Sequence, residues 1–309
     1  MTKRLTYYAL IACAIVATAC SNPKDKAYKN TTTSGLATIF CDNSFQNIME
    51  QEIEVFEYSY PDANIVPYYV DEKSAIDSLL NLSTSLIVTE HQLDADEIKY
   101  MKVNKGRNVR QQRLAVDAIA LIVNNANQIE ELSMQDIRDI FSGAVKRWGE
   151  IEPTNLKNDS IIVVFDHNGS SIYNHIRDSI AGGKPFLNNV YAQANSAEVF
   201  KAVEKYKNAV GLIGVSWVTT DMRGKDIPIE EKVKELNEQS TTTLDFTNKT
   251  KVLSVRYDNQ LRGKKPYQAY IFDGSYPLFR SIYVITVAGG GSLSSGFYSY
   301  LTGVVGQKI

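Results

Sequence analysis

The sequence predicts an α/β protein folded as two lobes around mostly parallel sheets. Strand-like apolar runs alternate with amphipathic stretches of helical period, and the alternation restarts near residue 161. About 290 residues remain after a leader, more than one hydrophobic core usually covers.

The leader comes first. Lys3-Arg4, the apolar run Tyr7 to Ala19 and the tetrad Ala17-Thr18-Ala19-Cys20 have the parts of an export signal. The run is shorter than the roughly 20 residues that span a bilayer. Residues 1–19 are therefore expected to be removed. The tetrad resembles a bacterial lipobox, with Ala17 in place of the usual larger aliphatic residue, which would lipidate Cys20. An ordinary secretory signal with an incidental cysteine is the alternative. Cys13 lies in the discarded run, so Cys41 alone remains and the fold must rest on its core rather than on disulfides. Without Lys3 and Arg4 the balance is 31 basic against 35 acidic residues, with no basic block, which argues against nucleic acid as a partner.

Residues 20–34 carry the lipidation site and a polar stretch without apolar periodicity, read as a flexible tether. Beyond it, Leu36–Cys41, Ile65–Val70 and Leu86–Thr89 read as extended, with helices at Phe45–Tyr58 and Ser74–Leu82 between them. A long apolar strand, Leu114–Val123, precedes a helix at Ser133–Phe141, where Ser133 and Asp136 form an S-x-x-D capping pair. The second unit reads as strand Ile161–Phe165, helices Ile172–Ile180 and Ala197–Tyr206, and strand Ala209–Val215. Residues 219–250 are polar and read as an exposed helix and loop. Val252–Val255, the strand Arg280–Val287, a turn at Gly289-Gly290-Gly291 and a helix Leu293–Leu301 complete the chain.

Several motifs carry a resemblance. Ile140-Phe141-Ser142-Gly143 followed by Trp148, the run Asp117-Ala118-Ile119-Ala120-Leu121-Ile122-Val123, Tyr276-Pro277-Leu278 and Tyr300-Leu301-Thr302-Gly303 together resemble the PstS family, the phosphate-binding proteins of ABC importers. The likeness runs from about Gly35 to the C-terminus. It implies a type II periplasmic-binding-protein fold with crossing hinge strands. Lobe 1 would comprise residues 35–116 and 279–309, and lobe 2 residues 117–278, with crossings near Ala115–Ala118 and Pro277–Arg280.

The resemblance also implies a ligand cleft. Helix starts supply unpaired N–H groups and the positive end of a dipole. On the family pattern Asn43, Ser44 and Phe45 would contact the ligand from lobe 1, with Ser74 at the next turn. Asn168, Gly169, Ser170 and Ser171 would do so from lobe 2, and Glu90 would accept the proton of hydrogen phosphate. Ser44 and Ser170 could equally be simple helix caps, and Glu90 a solvated loop carboxylate. Three departures stand out. The family arginine before the second turn is replaced by Asp166-His167, the Ser-Gly-Thr turn by Ser170-Ser171-Ile172, and a glycine-rich turn by Asp71-Glu72-Lys73-Ser74. The strongest anion-binding group is therefore expected to be missing and the cleft to be acidic.

Three histidines, His91, His167 and His175, have no zinc-site spacing. No nucleophile has a base and an orienting group at recognisable spacing, so a hydrolase is disfavoured. Most of the 18 tyrosines, among them Tyr68, Tyr69, Tyr283, Tyr298 and Tyr300, read as packing residues. The resulting expectation is a monomeric, lipid-anchored binding protein of the cell envelope, without catalysis, cofactor or metal. It would capture inorganic phosphate or a similar small oxyanion for ABC permease subunits. The departures favour an alternative, a surface lipoprotein whose altered cleft serves as sensor or scaffold for another ligand or partner.

Overall fold

The computed structural model describes residues 30–167, 169–184, 189–220, 249–304 and 306. The leader, Cys20, Asn168 and the polar run at 229–243 lie outside the described residues.

Eleven strands are described: β1 Gly35–Asp42, β2 Ala63–Val70, β3 Leu86–Thr89, β4 Arg110–Asn124, β5 Glu131–Ser133, β6 Ile162–Phe165, β7 Val190–Ala192, β8 Ala209–Gly214, β9 Thr250–Val252, β10 Ser254–Arg256 and β11 Phe279–Thr286. The helices are α1 Gln46–Ser59, α2 Glu72–Leu80, α3 Ala95–Asn104, α4 Met134–Ser142, α5 Ser171–His175, α6 Ser196–Lys205, α7 Val215–Thr220, α8 Gln268–Phe272 and α9 Leu293–Leu301. One continuous sheet runs β2-β1-β3-β11-β4-β8-β6-β7, with β9 also on β4, while β10 and β5 form a separate parallel pair. This is the mixed sheet of the type II periplasmic-binding-protein fold.

The long strand β4 changes partner along its length. Arg110–Ala118 pairs antiparallel with β11, and Ile119–Asn124 pairs with β8 and β9. The core divides at the same point. One set of buried side chains, including Ile39, Phe45, Met49, Phe56, Leu114, Ile282 and Phe297, packs α1 and α9 on the first part of the sheet. Another, including Ile119, Leu121, Ile137, Phe141, Trp148, Val163 and Leu278, packs α4 and α5 on the second. Smaller clusters around Leu79, Ile87 and Met101 and around Val164, Val199 and Val203 cover the opposite faces. Both faces of the sheet are thus buried, which explains the unbroken apolar run in β4.

Local signals explain the boundaries. Ser133 and Asp136 form the expected capping box, and Gly143 closes α4 in the left-handed region at φ 74°. The helix α3 escapes periodicity because it buries only Met101, although Asp94 and Glu97 cap it fully. The expected helix Ile172–Ile180 begins as α5 and widens into a π turn at Ile176–Ile180. The stretch Val252–Val255 breaks at Leu253, passing from β4 to β5. The tether is shorter than expected. Asn30 Oδ1 accepts a hydrogen bond from Leu293 N–H at 2.8 Å, Thr31 and Ser34 bridge, and any side chain at Gly296 would strike the Thr32 carbonyl.

Glu52 is an outlier within the first core. It is buried on α1, and burial pushes its carboxyl up to about 8 against the opposing influence of Tyr300. The folded protein therefore resists ionising a carboxyl whose ordinary value is 4.5. The stability it contributes is complete below that value and is lost as pH rises towards 8. Glu52→Gln is expected to change stability little at pH 5 and to raise it by on the order of 3 kcal/mol at pH 8.5, read by denaturant unfolding.

Candidate functional site

The site forms where β4 exchanges partners. Asp117 on β4 and Arg280 on β11 are register neighbours. Both lie at buried positions of their strands, and burial demands that such charges be paired. Arg280 is 2% exposed; its Nε and Nη2 donate to Asp117 Oδ2 at 3.1 and 2.9 Å. Its Nη1 donates to Ser171 Oγ at 2.7 Å and stands 3.5 Å from Glu90 Oε2. The Phe45 ring lies 4.5 Å from the guanidinium carbon. Gly214 on β8 permits this crowding, because a Cβ there would come within 3.3 Å of Asp117 Oδ2 and 3.4 Å of Arg280 Nη2.

The first turn after β1 enters from the other side. Asp42 ends β1 and caps the 3-10 turn Asn43–Phe45. Its Oδ1 accepts from Ser44 N–H at 2.9 Å, from the Ser44 hydroxyl and from Ser171 Oγ at 3.0 Å, while Oδ2 has no hydrogen-bond partner among the described residues. Ser44 Oγ and Ser171 Oγ are themselves 2.7 Å apart. Hydroxyls 127 positions apart in sequence are thus brought into contact.

Glu90 Oε1 meets His175 Nδ1 at 2.6 Å, which ties the loop after β3 to α5. Behind it Glu72 Oε1 accepts the backbone N–H groups of Glu90 and His91, each at 2.8 Å. The hydrogen bond to Glu72 raises the His91 imidazole to about 9, and the same bonds outweigh burial to hold the Glu72 carboxyl below its ordinary value. Burial pushes Asp42 up to about 6, against Ser44 and Arg280. Burial likewise raises Asp117 despite Arg280. For Arg280, burial is outweighed by Asp117, Glu90 and Asp42, so its charge is reinforced.

The expected residues sort differently from the sequence reading. Ser44, Phe45, Glu90 and Ser171 converge on Arg280. Ser170 does not extend a hydroxyl to this cluster: its Oγ accepts Tyr173 N–H and caps α5. Ser74 donates to Asp71 Oδ2 at 2.6 Å and also stays outside. Asn43 Nδ2 lies 3.4 Å from His167 Nε2, and Gly169 takes φ 82° in the turn. Glu90 is no solvated loop carboxylate, being 6% exposed with both oxygens engaged. The turn before α5 carries Asp166 and His167, and the guanidinium at the site is that of Arg280 on β11, held by Asp117, Ser171 and Glu90. Asp166 is buried, with no hydrogen bond to either oxygen among the described residues and His167 Nδ1 3.5 Å away. Its charge outweighs burial and raises the His167 imidazole. The sequence reading missed Asp42, Asp117, His175 and Arg280 as site residues; the readable signals were Asp117 within the apolar run 114–123 and Arg280 as the one charge of β11.

Among the described residues, no group of three or more His, Cys, Asp or Glu side chains is arranged to hold a metal, and no helix is long and apolar enough to cross a membrane. A crossing-strand sheet with a polar cluster at the crossover defines a type II binding protein. The chain belongs to the PBP superfamily, whose domain model matches residues 26–304. Among curated proteins it is similar to the phosphate-binding protein PstS of Pseudomonas aeruginosa, 24% identical over 253 residues, which is 79% of this chain and 78% of that one. Among solved structures it is similar to an ABC-type phosphate transport receptor from Vibrio cholerae, with TM-score 0.60, 16% identity and coverage of 89% and 96%. A phosphate-bound structure from Clostridium perfringens, assigned to phosphate ABC transporter substrate-binding proteins, gives TM-score 0.66, 19% identity and the same coverage. The OxyR2 regulatory domain from Vibrio vulnificus gives TM-score 0.51 and 10% identity, covering 90% of this chain and 97% of that one.

Removing Arg280 alone leaves buried carboxylates uncompensated. Arg280→Ala is expected to destabilise by about 3–5 kcal/mol in denaturant unfolding, whereas Arg280→Met combined with Asp117→Leu should recover much of that loss.

Proposed function

We propose that this chain is an extracytoplasmic solute-binding protein that captures phosphate for an ABC importer. The observation that carries the reading is the meeting of the Ser44 and Ser171 hydroxyls, from the two sides of the sheet crossover, beside the buried Arg280 guanidinium. Hydroxyl donors backed by a fixed positive charge suit a small oxyanion, and the similar proteins named as phosphate-binding support that choice. The site binds without turnover. Both hydroxyls are turned onto the buried Asp42 carboxylate, so capture is expected to involve separation and reclosure of the two sides. Calorimetry with phosphate on ligand-stripped protein tests the reading; absence of binding at millimolar phosphate overturns it. Ser171→Ala is expected to weaken phosphate binding by about 1.5–3 kcal/mol, because a donor to a charged ligand is lost. Ser170→Ala should instead cost about 1 kcal/mol of stability as a lost cap, with affinity nearly unchanged.

A second reading is favoured by the buried carboxylates. Asp42, Glu90, Asp117 and Asp166 outnumber the single guanidinium, and such a cleft suits a sensor or scaffold for a ligand other than phosphate. Mass spectrometry of whatever native protein releases separates the two readings.

The proposal includes membrane attachment through a lipid on Cys20, supported by the lipobox-like tetrad. Cys20→Ala protein is expected to leave the membrane fraction after leader removal; retention there would refute the anchor.

A further inference from the structure

The donors assigned above to a captured oxyanion already hold a carboxylate. Asp42 Oδ1 takes the Ser44 N–H, the Ser44 hydroxyl and the Ser171 hydroxyl, and Asp42 is 0% exposed. Carboxylate and phosphate oxygens are acceptors of the same kind, so a donor given to one is withheld from the other. We propose that Asp42 is a built-in competitor of the captured anion: its ionised carboxylate occupies the Ser44 and Ser171 donors, and the anion enters when Asp42 has taken a proton from solvent. The inference rests on the reading of the site as an oxyanion cleft.

The surroundings give the competition its sign. Asp42 lies beside Cys41 on its own strand and is influenced by Arg280 of β11 and by Asp166 after β6; His167, next to Asp166, in turn responds to Asp42. Through Arg280 it shares one guanidinium with Asp117 of β4 and with Glu90 after β3, the latter paired with His175 of α5. An added anion next to an ionised Asp42 would meet a like charge in a site already rich in carboxylates. Protonated, the same side chain accepts the serine donors more weakly and gains an O–H that can donate to the anion. Burial places that protonation at about 6, within reach of neutral solution.

Asp42→Asn tests this, because asparagine imitates the protonated side chain at every pH. The ratio of wild-type to Asp42→Asn dissociation constants cancels the ionisation of phosphate itself and, to first order, that of the neighbouring histidines and carboxylates present in both proteins. If only protonated Asp42 admits the anion, the ratio follows the competent fraction: roughly 30 at pH 7.5 and near 1 at pH 5. Calorimetry with inorganic phosphate at both pH values measures it. Phosphate binding by the wild type with an equal or weaker Asp42→Asn affinity at pH 7.5 overturns the competition and leaves the proposed function standing. Failure of both proteins to bind millimolar phosphate at either pH overturns both. Should the variant not fold, the carboxyl ¹³C resonance of Asp42 in the wild type decides. It is expected at its protonated position once phosphate saturates the protein at pH 7.5, and an ionised position with phosphate bound overturns the proposal.

Discussion

One buried ion pair fixes the geometry on which the rest of the molecule depends. Asp117 and Arg280 face each other where β4 leaves β11 for β8, so the pair sits at the crossover between the two halves of the sheet. Placing charges there is expensive, because removal from water costs several kcal/mol per ion even after relaxation. The structure offsets that cost by surrounding the guanidinium: Asp117 takes two of its donors, Ser171 and Glu90 meet the third nitrogen, and the Phe45 ring lies against its face. Those partners come from β4, α5, the loop after β3 and the turn after β1. The arginine therefore sets the spacing between elements that lie far apart in sequence, and Ser44 and Ser171 inherit their contact from it.

Much of this architecture was legible because it is written in short-range patterns. The alternation of apolar strand and amphipathic helix located β1 to β4, α1, α6 and α9 to within a few residues, since burial on both sheet faces and single-sided helix packing leave different periods. The Ser133/Asp136 capping box and the Gly143 stop were equally local. What was lost shows where local signals end. The helix α3 packs through one buried methionine, too narrow a face to generate a period. Ser170 and Ser171 are adjacent hydroxyls at one helix start, and only the chain's entry angle decides that the first caps the helix while the second faces Ser44. Arg280 and Asp117 were visible as charges within apolar runs, but their partnership spans 163 positions and belongs to sheet register.

The fold by itself leaves the chemistry open. A similar fold occurs in an ABC-type phosphate transport receptor and in the OxyR2 regulatory domain, at TM-scores of 0.60 and 0.51, so the ligand must be inferred from the side chains at the crossover. Here those side chains depart from a simple anion clamp. Asp166 lies buried in the turn before α5 with no hydrogen bond among the described residues, its neighbour His167 at 3.5 Å.

The seat of the guanidinium on β11 limits what it can do. An arginine free of other duties can grip two oxygens of an anion at once. Arg280 cannot, because two of its nitrogens are already bound to Asp117 and the third is shared by Ser171 and Glu90. In the proposed binding mode its charge would act on a ligand through Ser171, by polarising the hydroxyl to which Nη1 donates. Hydroxyls are neutral and can donate or accept, so they discriminate weakly by charge on their own. Selectivity must then come from the balance of buried carboxylates against that one fixed cation, and from the protons those carboxylates hold. In this chain the position of a proton on Asp42 weighs on anion recognition as heavily as the position of the arginine does.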